Sequence, residues 1–185
     1  MVIWPGKHEH VEEIVRAAVA NNVVLIPYGS GTNVTNALQL DSKETRMIVS
    51  VDMHEMHHIK WIDAESLTAC IEAGAVGKDI EIQLEKYGYC LGHEPDSVEF
   101  SSLGGWIATR ASGMKKNLYG NIEDLVINVK AVTPLGTFER GCDVPRVSSG
   151  PDLMQVFMGS EGSFGLITEA VVKIRKLPEV NSDFI

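Results

Sequence analysis

Glycine recurs in this sequence at the ends of apolar segments, where backbone N–H groups without a partner are able to bind an anion. The segment PYGSGTNV (27–34) places two glycines around a serine and completes the apolar run VVLIPY. Successive N–H groups of such a loop can point into one concavity and hold a pyrophosphate. Nicotinamide-binding proteins use G-x-G-x-x-G before a helix, but here Val34 replaces the third glycine and no clear helix follows. The loop predicts either an anion site of another class or an ordinary tight turn.

Three further segments have similar glycine-dependent chemistry. GHEPDSVEFSSLGGW (92–106) ends in a glycine pair at a predicted helix start, where unpaired N–H groups favour phosphate. TRASGMKKNLYGNIED (109–124) combines small residues with cations, and its alternative interpretation is a basic surface loop. GSEGSFG (159–165) precedes an apolar strand pattern, and its glycines indicate turns with positive φ or a close approach of a ligand. Together the four segments favour one long, flat, phosphorylated ligand.

The cysteines and histidines do not form a disulfide or metal-binding pattern. The 3 cysteines are an odd number without C-x-x-C spacing, which disfavours a disulfide framework and a zinc site. His54, His57 and His58 have no acidic or cysteine partner at ligand spacing, so we predict no metal. The isolated His93 is interpreted as a structural residue that forms hydrogen bonds rather than as a catalyst.

Composition excludes some classes of function. The formal net charge of −9 at pH 7 argues against a nucleic-acid-binding protein, which needs a basic surface. No apolar run reaches the roughly 18 residues of a membrane span. The sequence begins with a strand and helix pattern and has no secretory signal. We therefore expect a fragment of a longer protein.

The hydrophobic patterns predict a mixed α and β domain in two units. In the first, Val11, Ile14, Val15, Ala18 and Val19 define one face of a helix over 6–22. Strands are predicted around it at 2–5, 23–28 and 46–53. In the second unit we predict strands over 57–63 and 66–75, helices over 77–89, 100–113 and 150–159, a hairpin over 124–140 and a last strand over 166–178. Ser101 or Ser102 is the expected cap of the helix at 100–113.

The motifs GSGTN, PDS, GG, YGN-I-ED-V and GSEG-x-x-G-x-I-T-E, in this order, resemble the FAD-binding domain of the vanillyl-alcohol oxidase (PCMH-type) flavoprotein superfamily over essentially the whole chain. The resemblance implies an α+β fold in which two α/β subdomains, about 1–55 and about 56–185, hold FAD between them. Within the superfamily, the block 92–134 is similar to the ether-lipid synthases. D-lactate and glycolate dehydrogenases resemble T-N-A-G-G where this chain has TRASG.

The same resemblance implies which residues hold the cofactor. The pyrophosphate is expected at the first loop, namely Tyr28, Gly29, Ser30, Gly31, Thr32, Asn33 and Val34. The flavin and its chain are expected against two further sets, Pro95, Asp96, Ser97, Val98, Glu99, Phe100 and Ser101, and Ala108, Thr109, Arg110 and Ala111. The isoalloxazine and ribityl region is expected beside Glu161, Gly162, Ser163, Phe164, Gly165, Leu166 and Ile167.

Individual positions in these sets carry further expectations. Gly162 and Gly165 are interpreted as close approaches of backbone to the flavin, whereas a turn after a helix explains Gly159 equally well. Covalent relatives carry a histidine where this chain has Thr32, so we expect non-covalent FAD. Arg110 is predicted in or beside the flavin site, paired with a phosphate, with Glu161 or with another acidic side chain.

The resemblance implies a transferase that replaces the acyl group of acyl-dihydroxyacetonephosphate with a fatty alcohol and uses its flavin without net redox change. The lipid substrates and catalytic residues are expected in a cap domain outside this chain, so we assign no catalytic residue and expect the chain alone to be inactive. The resemblance further implies a peroxisomal enzyme, and it allows peripheral membrane association and homodimerisation. Two alternatives stay open, the FAD domain of a D-lactate or glycolate-type dehydrogenase and a non-catalytic module with this fold.

Overall fold

The computed structural model describes residues 1–178, and the end of the chain, from 179, lies outside the described residues. The described part contains ten strands and six helices: β1 (Val2–Ile3), α1 (His8–Ala20), β2 (Val24–Tyr28), β3 (Ile48–Asp52), β4 (Ile59–Asp63), β5 (Thr68–Glu72), α2 (Gly77–Glu85), β6 (Tyr89–Cys90), α3 (Leu103–Thr109), α4 (Lys116–Tyr119), α5 (Ile122–Leu125), β7 (Val126–Thr133), β8 (Gly136–Phe138), α6 (Met154–Phe157), β9 (Leu166–Lys173) and β10 (Arg175–Lys176). The mixed α and β composition agrees with the predicted fold class.

The first part of the chain forms a small parallel sheet with strand order β1-β3-β2. Helix α1 buries Val11 and Val15 against Val49 and Val51 of the central strand β3. The i, i+4 spacing of the two helix valines places both on the face toward the sheet. Strand β2 lies at the edge of the sheet, and its five residues are therefore half-buried rather than buried.

The second part forms a five-stranded sheet with order β4-β5-β9-β7-β8, in which every neighbouring pair is antiparallel. Helices α2 and α3 cover one face, where Ile80, Leu84 and Ile107 are fully buried among residues of β5, β7 and β9. None of the helices that the structure describes is long and apolar enough to cross a bilayer.

The two sheets are joined by α1, which packs on both. His8 is buried and its Nδ1 lies 2.9 Å from Thr168 Oγ1 in β9. Leu166 and Val132, from β9 and β7, belong to the same apolar cluster as Val11. Because α1 packs on both sheets, it fixes the position of one sheet relative to the other.

Local details differ from the sequence prediction in two places. Strand β9 ends at Lys173, and the chain then pairs as β10 with β6; a two-residue strand is too short to show a periodic pattern. The segment after 113, for which no helix was predicted, contains the short helices α4 and α5. At the start of α5, Asn121 N donates to Asp124 Oδ2 at 2.9 Å.

Candidate functional site

A cleft of about 310 Å³ lies between the two sheets. Its walls come from the loop after β2, the chain ahead of α3, α3 itself and the loop ahead of β9. Among the described residues that line it, none is a lysine or an arginine. An anion in this cleft would therefore bind to backbone N–H groups and hydroxyls rather than to a basic side chain.

The loop after β2 forms one wall, and all of its predicted site residues, from Tyr28 to Val34, line the cleft. Gly31 has φ +68°, a conformation that side chains disfavour. The Ser30 Oγ is shielded from solvent without a hydrogen-bond partner. In the described part of the chain, the N–H groups of 30–35 donate to no backbone carbonyl. The loop thus offers several unused donors to the cleft.

The N-terminus of α3 lies directly beside this loop. Ser102 is the N-cap, and its Oγ accepts a hydrogen bond from Gly105 N at 3.4 Å. A Cβ on Gly29 would overlap the same Ser102 hydroxyl. Gly104 N donates to Ala73 O at 2.8 Å, and a Cβ on Gly104 would lie 2.9 Å from the Ala73 side chain. The glycines thus let the loop, the helix end and the end of β5 meet closely.

The segment ahead of α3 lines the cleft at separate positions rather than as a continuous run. Pro95, Ser97 and Ser101 line the cleft, and Ser101 Oγ accepts from Trp106 Nε1 at 2.7 Å and donates to Ser97 O at 2.8 Å. The other predicted members lie outside the lining, because the turn directs them elsewhere: Asp96, Val98, Glu99 and Phe100. Val98 packs against the main core, whereas Phe100 is exposed.

The loop ahead of β9 contributes Glu161, Gly162, Gly165 and Ile167 to the cleft. Its other predicted members do not line it: Ser163 and Phe164 are exposed, and Leu166 is buried in the core beside α1. Leu166 and Ile167 differ because successive side chains of β9 point to opposite faces of the sheet, whereas Ser163 and Phe164 belong to the loop ahead of the strand.

The glycines of this loop have structural reasons that require no ligand, so the expected close approach to the flavin is not needed to explain them. A Cβ on Gly165 would lie 2.5 Å from the backbone oxygen of Val132. Gly162 has φ +82°, and a Cβ there would lie 2.8 Å from Pro27 Cγ. Gly159 has φ +80° just after α6, as expected for a turn that ends a helix.

Arg110 lies outside the cleft lining, although Ala108, Thr109 and Ala111 line it. It is the left-handed C-cap of α3 with φ 51°. Its guanidinium is 3.8 Å from Glu123 Oε1, so in this structure it pairs with an acidic side chain other than Glu161, one of the expected partners. Arg110 therefore lies beside the cleft rather than in its lining.

Arg110→Ala is expected to change the affinity for FAD by less than about twofold, because the exposed ion pair that it removes contributes little. Fluorescence titration of wild type and variant with FAD measures this. A tenfold loss of FAD affinity would show that Arg110 contributes to the cofactor site.

His93 is buried, with 1% of its surface exposed. Its ring packs edge-on against Trp106 with centroids 4.9 Å apart. Neither ring nitrogen has a hydrogen-bond partner, which corrects the interpretation of His93 as a structural hydrogen-bonding residue. Burial lowers the pKa of the imidazole to about 4, despite an opposing effect of Glu123. The ring is therefore neutral at pH 7, and it supports the Trp106 side chain that lines the cleft.

Within residues 1–178, no group of three or more histidine, cysteine or acidic side chains is arranged to hold a metal ion. His54 and His58 have separate partners, Asp52 and Glu72. Burial raises the pKa of the Cys70 thiol to about 12, so this thiol is inert.

Several residues that line the cleft were absent from the predicted set: Pro27, Thr35, Ala37, Leu38, Met53, Ala73, Ser102, Gly104, Gly105 and Trp106. Most of those in the loop after β2 and in α3 lie inside or next to the glycine-containing segments singled out from the sequence, and the helix-cap pattern marks Ser102. Met53 and Ala73 follow β3 and β5 without any local signal, and only the packing of the two sheets brings them to the cleft.

The cleft fits a flavin dinucleotide in the properties that the structure allows to be tested. The Ser30 hydroxyl and the N–H groups of the first loop are unused donors beside the end of α3. Gly29 and Gly31 keep that wall free of side chains. Apolar residues such as Ala108 and Ile167 also line the cleft. A cleft that combines unused donors with apolar residues suits a pyrophosphate joined to a ring.

Gly31→Val is expected to weaken FAD binding by roughly tenfold, or about 1.4 kcal/mol, because valine disfavours φ +68° and its side chain would press on the Tyr28 ring 3.1 Å away. Titration of the folded variants with FAD measures the effect. Gly88→Val is the matched control, since Gly88 also has positive φ but has open space around it and lies outside the cleft. Equal FAD affinity of the two variants would exclude the loop from the cofactor site.

Comparison with known proteins identifies relatives along nearly the whole chain. Residues 1–141 match the family described as "FAD binding domain". Alkyldihydroxyacetonephosphate synthase of Caenorhabditis elegans is 51% identical over 180 residues, which are 97% of this chain and 30% of that protein. The synthase of Trypanosoma brucei brucei is 48% identical over 97% of this chain and 29% of its own length. A solved structure of an alkyldihydroxyacetonephosphate synthase superposes with a TM-score of 0.91 at 44% identity, covering 97% of this chain and 32% of that one. The chain thus spans about 30% of the curated relatives it matches.

Proposed function

The chain belongs to the FAD-binding domain family, and on that premise we propose that it is the FAD-binding part of an alkyldihydroxyacetonephosphate synthase. The proposed reaction replaces the acyl group of acyl-dihydroxyacetonephosphate with a fatty alcohol and releases the fatty acid. The observation that carries the proposal is the 51% identity to such a synthase along 97% of this chain. FAD, when bound, supplies an electron-rich ring for this exchange without net oxidation.

The residues of this chain bind and orient the cofactor. The N–H groups of 30–35 and the Ser30 hydroxyl are the donors for its pyrophosphate. Trp106 is bonded to Ser101 and packed on His93, so it fixes α3 to the segment ahead of it, and both line the cleft. Because His93 is neutral and buried, this support carries no charge that would change near neutral pH.

Thr32 lies in the loop that lines the cleft, at the position where covalent relatives are expected to carry a histidine. The loop 29–38 contains no histidine. We therefore propose that FAD is bound non-covalently. Acid precipitation of the holoprotein should therefore leave all flavin in the supernatant.

A product assay tests the proposal. This chain and a longer protein that contains it are loaded with FAD and given acyl-dihydroxyacetonephosphate and a radiolabelled fatty alcohol. We expect alkyl-dihydroxyacetonephosphate from the longer protein and none from this chain, since the proposal places the catalytic residues outside it. Dye reduction by D-lactate or glycolate in place of ether formation would instead identify a dehydrogenase. Ether formation by this chain alone would contradict the assignment of catalysis to residues outside it.

The resemblance also supports proposals for the full protein. We place it in peroxisomes, acting on lipid substrates at a membrane surface and as a homodimer. Fluorescence microscopy of the tagged full-length protein and light scattering of the purified one test these points. A cytosolic distribution or a monomer at micromolar concentration would contradict them.

A further inference from the structure

The loop 159–163 is fixed to the C-terminal end of α3. Gly159 N donates to Ile107 O at 3.0 Å, and Glu161 N donates to Ala108 O at 2.9 Å. These bonds join the loop to two carbonyls of the last turn of α3, of which Ile107 O also accepts from Arg110 N at 3.2 Å. The position of Glu161 is consequently determined by the helix that forms one wall of the cleft.

Glu161 has φ 48°, in the left-handed region. A long side chain adopts this conformation rarely and at a cost in free energy, and such residues concentrate at ligand sites. The bond to Ala108 O holds the backbone in this state. Its neighbour Gly162 is also left-handed and packs against Pro27, ahead of the first loop. The strained backbone therefore lies against the opposite side of the cleft.

The Glu161 carboxylate bridges the cleft to the first loop. Thr35 Oγ1 donates to Glu161 Oε2 at 2.8 Å, across 126 positions of sequence. Both residues line the cleft. The N–H groups of 30–35 have no backbone acceptors among the described residues, so few other bonds hold this loop in place. The hydrogen bond from the Thr35 hydroxyl to Glu161 is thus a principal polar contact between the loop and the rest of the domain.

We propose that Glu161 is a positioning residue whose bond to Thr35 latches the loop 29–38 across the cleft and slows the release of the bound dinucleotide. The inference rests on the proposed FAD-binding function. A carboxylate beside a pyrophosphate would repel it, so Glu161 acts on the loop and not as a ligand of the phosphates. This role differs from the cofactor contact expected from the sequence.

The latch is tested in the chain without FAD and then with it. The rate of thermolysin cleavage within the loop 29–38 is measured in wild type, Glu161→Ala, Glu161→Gln, Glu161→Gly, Thr35→Val and the double variant Thr35→Val/Glu161→Ala. FAD dissociation rates are then measured by flavin fluorescence after dilution. Thr45→Val and Glu65→Ala are matched controls, because both residues are exposed and lie outside the cleft.

We expect Glu161→Ala and Thr35→Val each to raise the rates of loop cleavage and FAD dissociation about tenfold, and the double variant to behave like either single variant. Glu161→Gln retains an oxygen acceptor and should stay within about twofold of wild type. Glu161→Gly removes the side chain and relieves the strain, so it should release FAD as fast as Glu161→Ala. If Glu161→Gly released FAD as slowly as wild type, the faster release from Glu161→Ala would result from backbone strain, and the latch would be overturned.

The test separates the latch from the proposed function. Failure of wild type to bind FAD would refute the proposed function, whereas the cleavage rates of the FAD-free chain would still decide whether Thr35 and Glu161 hold the loop. Unchanged cleavage of Glu161→Ala and Thr35→Val, or additive effects in the double variant, would overturn the latch even if FAD binds tightly.

Discussion

Replacing Gly165 with alanine is expected to lower the free energy of unfolding by about 3 kcal/mol, at the upper end of ordinary overpacking costs. The added Cβ would lie 2.5 Å from the carbonyl oxygen of Val132 in the neighbouring strand β7. Because the obstacle is the backbone of a paired strand, no side-chain rotation relieves the contact. Urea denaturation of wild type and Gly165→Ala measures the difference.

Gly141→Ala is the control for this experiment. A Cβ on Gly141 would meet no atom within 4 Å, and this glycine has no positive φ, so alanine should leave stability unchanged or raise it slightly. If Gly165→Ala were as stable as Gly141→Ala and only lost FAD affinity, close approach to the flavin would be the reason for this glycine after all.

The second large effect concerns acid stability and His93. The buried imidazole has a pKa of about 4 against its ordinary 6.5, so between these values the unfolded chain binds a proton that the folded chain does not. Stability is therefore fully present above pH 6.5 and is lost as the pH falls toward 4. Over this window the contribution of His93 amounts to about 3 kcal/mol.

His93→Phe separates this contribution from those of other groups. Phenylalanine keeps a flat ring beside Trp106 and removes two buried nitrogens that lack partners, which is near neutral for stability at pH 7. We expect the free energy of unfolding of the variant to fall less steeply between pH 7 and pH 4.5 than that of wild type. His10→Phe, at an exposed histidine, should leave the slope unchanged. Equal slopes for wild type and His93→Phe would show that the ring has a partner or is open to water.

The order of the elements and the first loop of the cleft could be predicted from the sequence. Strong periodicity marked α1 and the β-branched strands, and the Ser102 cap marked the start of α3. The glycine–serine loop directly follows strand β2, and its residues from Tyr28 to Val34 line the cleft at the end of that strand. These features depend on neighbours in the chain, and local patterns therefore reveal them.

Local sequence patterns could not predict contacts between segments that are far apart in the chain. The obstacle that requires Gly165 is Val132 O on another strand, and the partner of Arg110 is Glu123 beyond α4. Which residues of the segment 95–101 face the cleft depends on a turn with bonds from Val98 N to Pro95 O and from Phe100 N to Ser97 O. The resemblance implied that all residues from 95 to 101 contact the cofactor. The conformation of the turn decides which of them line the cleft.

Titration of this chain with FAD and with FMN tests the central claim most directly, because the two ligands share the flavin and differ in the pyrophosphate and adenosine. The donors of the loop 30–35 and the Ser30 hydroxyl are available to a pyrophosphate that FMN lacks. We predict one FAD per chain, with FMN at least tenfold weaker. Equal affinity for FAD and FMN, or binding of neither, would contradict the assignment of this cleft to FAD.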